Sequence, residues 1–106
     1  MSRREELRLR DIAAAIATIR SHVADGEFDR KTSDAVLYNL VVIGEAAAQI
    51  SEDTRAAAPE IPWTKVVGLR NLVAHEYFRV DLDVIQSILS EQLDQLEETA
   101  KRLLGE

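Results

Sequence analysis

Arg70 and His75 stand five positions apart in the stretch Pro62-Trp63-Thr64-Lys65-Val66-Val67-Gly68-Leu69-Arg70-Asn71-Leu72-Val73-Ala74-His75-Glu76-Tyr77. Asn71 follows the arginine directly, and Tyr77 lies two places beyond the histidine. A guanidinium stays charged at any working pH and can grip two phosphate oxygens at once. An imidazole takes or gives a proton near neutrality. A base, an acid and a phosphate clamp are enough for transesterification of RNA, because the substrate's own 2′-hydroxyl is the nucleophile. That chemistry calls for no metal ion or cofactor.

The stretch reads as a helix from about Trp63 to Tyr77. With Arg70 set at zero and ~100° per residue, Leu72, Leu69, Val73 and Val66 fall between roughly 200° and 320°, an apolar stripe. Tyr77, Arg70, Ala74, Asn71 and His75 fall on the other arc, between roughly −20° and 140°. Arg70 and His75 are then about 140° apart and flank a groove instead of stacking. One helix does not easily bring both to one phosphate. Two copies related by a two-fold axis could, with the small Ala74 allowing close approach and the two His75 rings serving as base and acid.

Three further helices must hold this one. The first runs from about Arg4 to Ala24, with Ile12, Ile16, Ile19 and Val23 as its stripe and Gly26 placed for a left-handed cap. The second runs from about Ser33 to Ser51, with Val36, Leu37, Leu40, Val41, Ile43, Ala47 and Ile50 as its apolar positions. Its small residues Gly44, Ala46, Ala47 and Ala48 let another helix come close. Glu45 sits among them, either as a buried carboxylate paired to an arginine such as Arg70 or as a charge on an interface rim. Pro59-Glu60-Ile61-Pro62 breaks the chain, and Pro62 suits the first turn of a helix. The last helix is expected from an N-cap at Asp81 to Leu103, with Val84, Ile85, Ile88, Leu89, Leu96 and Leu103 as its stripe and Gly105 closing it. The expected fold is all-α: one domain over residues 1–106, an up-and-down bundle of four main helices with a short fifth piece around 52–58.

Composition narrows the choices. Four glycines and two prolines in 106 residues leave few turns, and the few aromatics favour helices packed on helices. The chain has no cysteine, which removes disulfides, thiolate metal sites and cysteine catalysis. No phosphate-binding glycine loop and no metal-ligand spacing occurs. Neither a signal-peptide run nor a bilayer-spanning run is apparent, so a cytoplasmic protein with no membrane partner is expected. The formal charge of −6 sits against broad phosphate binding. RNA would have to be met at a local basic site.

Other readings of the same residues stand beside this one. By spacing alone, Arg70 and His75 are also a surface cation and a histidine complementing a helix end. Tyr77 is also a half-buried packing residue with a wet hydroxyl. His22, near the end of the first helix, reads as structural. Glu52-Asp53 and Glu97-Glu98 read as solvated helix surface, and Asp81 and Asp83 as the start of the last helix.

Arg70-Asn71-Leu72-Val73-Ala74-His75-Glu76-Tyr77 fits the Arg-x4-His-x-Tyr motif and resembles the HEPN-domain toxins of the HepT type. The approach Ile61-Pro62-Trp63…Gly68-Leu69-Arg70 and the segment Gly44-Glu45-Ala46-Ala47 are similar to that family too. The resemblance spans most of the chain. It implies a HEPN bundle that forms a homodimer with the two motif helices meeting. It implies a metal-independent endoribonuclease with Arg70 and His75 catalytic and Asn71 supporting them. It implies a minimal nucleotidyltransferase antitoxin as partner, which adds AMP to the motif tyrosine, here Tyr77. The alternatives are a non-catalytic helical binding subunit of a nucleotidyltransferase and a plain helical dimerisation module.

Overall fold

Ser2 begins the first helix. Its hydroxyl accepts from the Glu5 backbone N–H at 3.1 Å, and the Glu5 carboxylate accepts from the Ser2 N–H at 3.2 Å, a reciprocal capping box. Asp29 caps the second helix in the simpler way, accepting from the Thr32 N–H at 2.8 Å. Ser51 caps a third, short helix by accepting from the Thr54 N–H at 3.2 Å. The computed structural model describes residues 1–24, 26, 28–76 and 82–106. Its elements are α1 (Arg3–Val23), α2 (Arg30–Ala47), α3 (Glu52–Ala56), α4 (Trp63–Glu76), α5 (Leu82–Glu91) and α6 (Leu93–Leu103). Among the described residues there is no strand, and no helix is long and apolar enough to cross a membrane.

Most of the α1 and α2 stripes form the core of this all-helical bundle, although Val23, expected in the α1 stripe, is 37% exposed. Ile12, Ile16 and Ile19 of α1 meet Val36, Leu40 and Ile43 of α2, all essentially without solvent contact. α1 packs against α2 on one side and α6 on the other, and α2 also packs against α4. The Trp63 ring is buried, and its indole N–H donates to the Ala58 carbonyl at 3.0 Å. That bond ties the Pro59–Pro62 break to the start of α4. Gly26 and Gly105 both have positive φ, +84° and +81°. At Gly105 this lets the N–H of Glu106 reach the Lys101 carbonyl and that of Gly105 reach Arg102, which closes α6.

The structure corrects two element boundaries. α2 runs from Arg30 to Ala47, not from Ser33 to Ser51. It ends early because Ser51 is held elsewhere: its N–H donates to Glu5 Oε1 at 2.7 Å while its hydroxyl caps α3. The expected last helix is two helices, α5 and α6, separated at Gln92. On an unbroken helix Ile88 and Leu93 would point about 140° apart. Both are buried, at 8% and 2% exposure, on either side of the break. Asp81, the expected cap, lies outside the described residues. Glu97 is also more than solvated surface, since it and Asp94 bind Arg20 of α1 and fasten α6 to it.

Glu5 carries a testable consequence. Hydrogen bonds from the Ser51 side chain and backbone, then from the Ser2 backbone, lower its pKa to about 2. A lowered carboxylate pKa adds stability that is complete above the ordinary value near 4.3 and is lost as pH falls towards 2. Glu5→Gln should therefore destabilise the fold by about 1–2 kcal/mol at neutral pH. In melts recorded across pH, its gap to the wild type should close between about pH 4.5 and 2. A gap independent of pH would mean that the charge contributes nothing.

Candidate active site

Val66 and Val73 of α4 are buried, Val67, Leu69 and Arg70 are half-buried, and Asn71, Leu72, Ala74 and His75 are exposed. The expected apolar stripe put Leu72 inside, yet it is 37% exposed. On the same wheel Ala74, at roughly 40°, is exposed near the end of the helix, and the packed residues run from Leu69 at roughly 260° through Arg70 at zero to Val67 at roughly 60°. The cause lies on α2. Gly44 is buried, and a Cβ built on it would stand 2.9 Å from the Arg70 backbone nitrogen and 3.2 Å from both Arg70 Cβ and the Val67 carbonyl oxygen. α4 thus rests backbone-first on α2 at Arg70, and the helix rolls until Leu72 faces out.

The roll leaves the arginine within the packed face, half-buried, with its guanidinium reaching out along α2. Its Nη1 donates to Glu45 Oε1 at 3.2 Å, with the two side chains 36% and 56% exposed. Glu45 is therefore paired with Arg70, as one reading had it, but it is not buried. At this exposure such a pair contributes roughly 0–1 kcal/mol, so it matters more for orientation than for stability. An Arg held on one side by a carboxylate keeps other N–H groups for a second oxygen ligand. His75 stands exposed in the last turn of α4, and Asn71 is exposed one residue after Arg70.

The structure thus brings Arg70 and Glu45 together across two helices. It puts Asn71 and His75 on the open side of the helix that carries Arg70. Tyr77 lies outside the described residues. Among the described residues, no group of three or more His, Asp or Glu side chains gathers to hold a metal ion. His22 is exposed in the last turn of α1, where a basic side chain suits the helix end.

One feature near the site was not singled out from the sequence. A shallow groove of about 260 Å³ lies between α1 and α2, lined by Arg8, Asp11, Tyr38, Val42 and Glu45 among others. Glu45 so stands between this groove and Arg70. Tyr38 is 69% exposed beside it. A signal was present: Tyr38, Val41, Val42, Glu45 and Gln49 recur at helical spacing and give α2 a second stripe, offset from its core stripe.

The helix that carries the half-buried Arg70 and the exposed Asn71 and His75, with Glu45 reaching across from α2, lies within a stretch that one family of proteins shares. The Ribonuclease HepT-like family model matches residues 9–103, and the chain belongs to that family. It is 34% identical to a Thermococcus cleftensis protein named "Probable ribonuclease HepT", with 97% of this chain and 98% of that protein covered. Two Methanocaldococcus jannaschii proteins, each named a putative RNase, are also similar. One is 39% identical over 58% of this chain and 57% of its own length, the other 34% identical over 74% and 68%. No solved structure matches the chain.

Proposed function

We propose that this protein is a metal-independent endoribonuclease, acting as a homodimer through a site that both copies build. Arg70 binds the scissile phosphate and stabilises its charge in the transition state. One His75 removes the proton from the 2′-hydroxyl, whose oxygen attacks phosphorus. The P–O5′ bond breaks, and the partner's His75 gives a proton to the departing 5′-oxygen. The products are a 2′,3′-cyclic phosphate and a 5′-hydroxyl. Asn71 supports the bound phosphate as a hydrogen-bond donor, and Glu45 orients the guanidinium. What carries this reading is a half-exposed guanidinium and an exposed imidazole on one helix of a HepT-like ribonuclease family member.

The homodimer follows from the roughly 140° between Arg70 and His75 on one helix. Leu72, about 60° from His75 on the wheel, is an apolar side chain left outside that a partner would cover. The protein acts as the toxin of a pair in the cytoplasm, restrained by a minimal nucleotidyltransferase that transfers AMP to Tyr77. A phosphate group on Tyr77 would compete for Arg70 and close the groove. The net charge of −6 fits an enzyme with one small basic site and little non-specific hold on RNA.

The chemistry of the cut ends tests the mechanism. With a short end-labelled RNA, the expected products carry 2′,3′-cyclic phosphate and 5′-hydroxyl termini. Fragments with 5′-phosphate ends would require an attacking water in place of the 2′-hydroxyl and would overturn it.

A further inference from the structure

We propose that Gly44 is a positioning residue for Arg70, its missing side chain setting how closely the arginine's backbone rests on α2. This rests on the ribonuclease reading above and extends it to a residue that touches no substrate. The added Cβ would meet backbone and Cβ atoms of α4 at 2.9–3.2 Å. Carbon atoms in contact normally stand about 3.5–4.0 Å apart. A long side chain could swing its tip away from such a clash, but the Arg70 nitrogen and the Val67 carbonyl are parts of the helix itself. Relief must therefore lift or roll α4 at the residue that carries the guanidinium.

The neighbouring Glu45 sharpens the effect. It sits on α2 and holds the Arg70 guanidinium at 3.2 Å, so backbone height and side-chain direction are set from two adjacent residues. A shift of α4 changes the first and stretches the second. Catalytic groups need placement within about 0.5 Å, and a misplacement of about 1 Å can cost 10²-fold in rate. Gly68 is the internal control. It lies on α4 itself, and a Cβ there would meet nothing within 4 Å.

The test compares wild type, Gly44→Ala and Gly68→Ala on one RNA substrate, with the folded fraction of each measured by circular dichroism at the assay temperature. For Gly44→Ala we expect kcat per folded molecule to fall about 10- to 100-fold. Its KM should change less than its kcat, because Arg70 does more for the transition state than for the bound phosphate. Gly68→Ala, whose added Cβ meets nothing in its own chain, should lower cleavage far less than Gly44→Ala does. A merely structural role for Gly44 would lower the folded fraction and leave kcat per folded molecule unchanged, and that result would overturn the proposal. If Gly44→Ala alone unfolds, it is repeated in the Gly68→Ala background at low temperature. Failure to fold there too would assign Gly44 to the fold alone and also overturn it. A wild type that cuts no RNA would remove the ribonuclease reading and this inference together. A wild type and a Gly44→Ala that cut equally would remove this inference only.

Discussion

Replacing His75 by alanine should lower RNA cleavage by roughly 10²- to 10⁴-fold, the range for losing a positioned acid–base group. The upper end is expected, because in a symmetric dimer one substitution removes both the base and the acid. The fold should barely notice. His75 is exposed in the last turn of α4, where a cationic side chain contributes about 0.3–1 kcal/mol at most through the helix dipole. Melting temperature and gel-filtration volume should therefore match the wild type while cleavage is lost. A dimerisation module predicts the reverse, a chain that dissociates or melts early. A binding subunit predicts that neither protein cuts RNA.

Arg70→Ala should be nearly as damaging by a different route. Loss of one donor aimed at developing charge costs roughly 10²- to 10³-fold in kcat. The Glu45 carboxylate would then stand without its cation, adding repulsion where a phosphate must sit. Arg70→Lys should recover little of the rate, since an ammonium keeps the charge but not the planar fork that spans Glu45 and a phosphate oxygen. Stability should change by no more than about 1 kcal/mol, because the ion pair is exposed. Kinetics of the three proteins beside their thermal melts separate these effects. A Lys variant as fast as the wild type would show that only charge matters at this position.

Much of this arrangement could be read from residue order, and the parts that could not share one cause. The α1 and α2 stripes were legible because Ile12, Ile16 and Ile19, like Val36, Leu40 and Ile43, repeat at helical spacing and need only each other to be buried. The Glu45–Arg70 pair was legible as one of two options, because a run of small residues around Glu45 marks a close helix crossing. What the pattern missed is decided by distant partners. The end of α2 is set by Glu5, which takes the Ser51 N–H from across the bundle. The roll of α4 is set by Gly44 on another helix, so a wheel drawn for α4 alone placed Leu72 inside. The break at Gln92 carries no glycine or proline. Its only trace is the five-residue step from Ile88 to Leu93, which turns the apolar face by about 140°.

Whether this chain cuts RNA without a metal ion is decided by incubating the unmodified protein with several RNA classes in EDTA. The expected result is cleavage in EDTA that is abolished in a folded, dimeric His75→Ala variant. Intact RNA beside a well-folded wild-type dimer, or cleavage that returns only when a divalent cation is added, would contradict it.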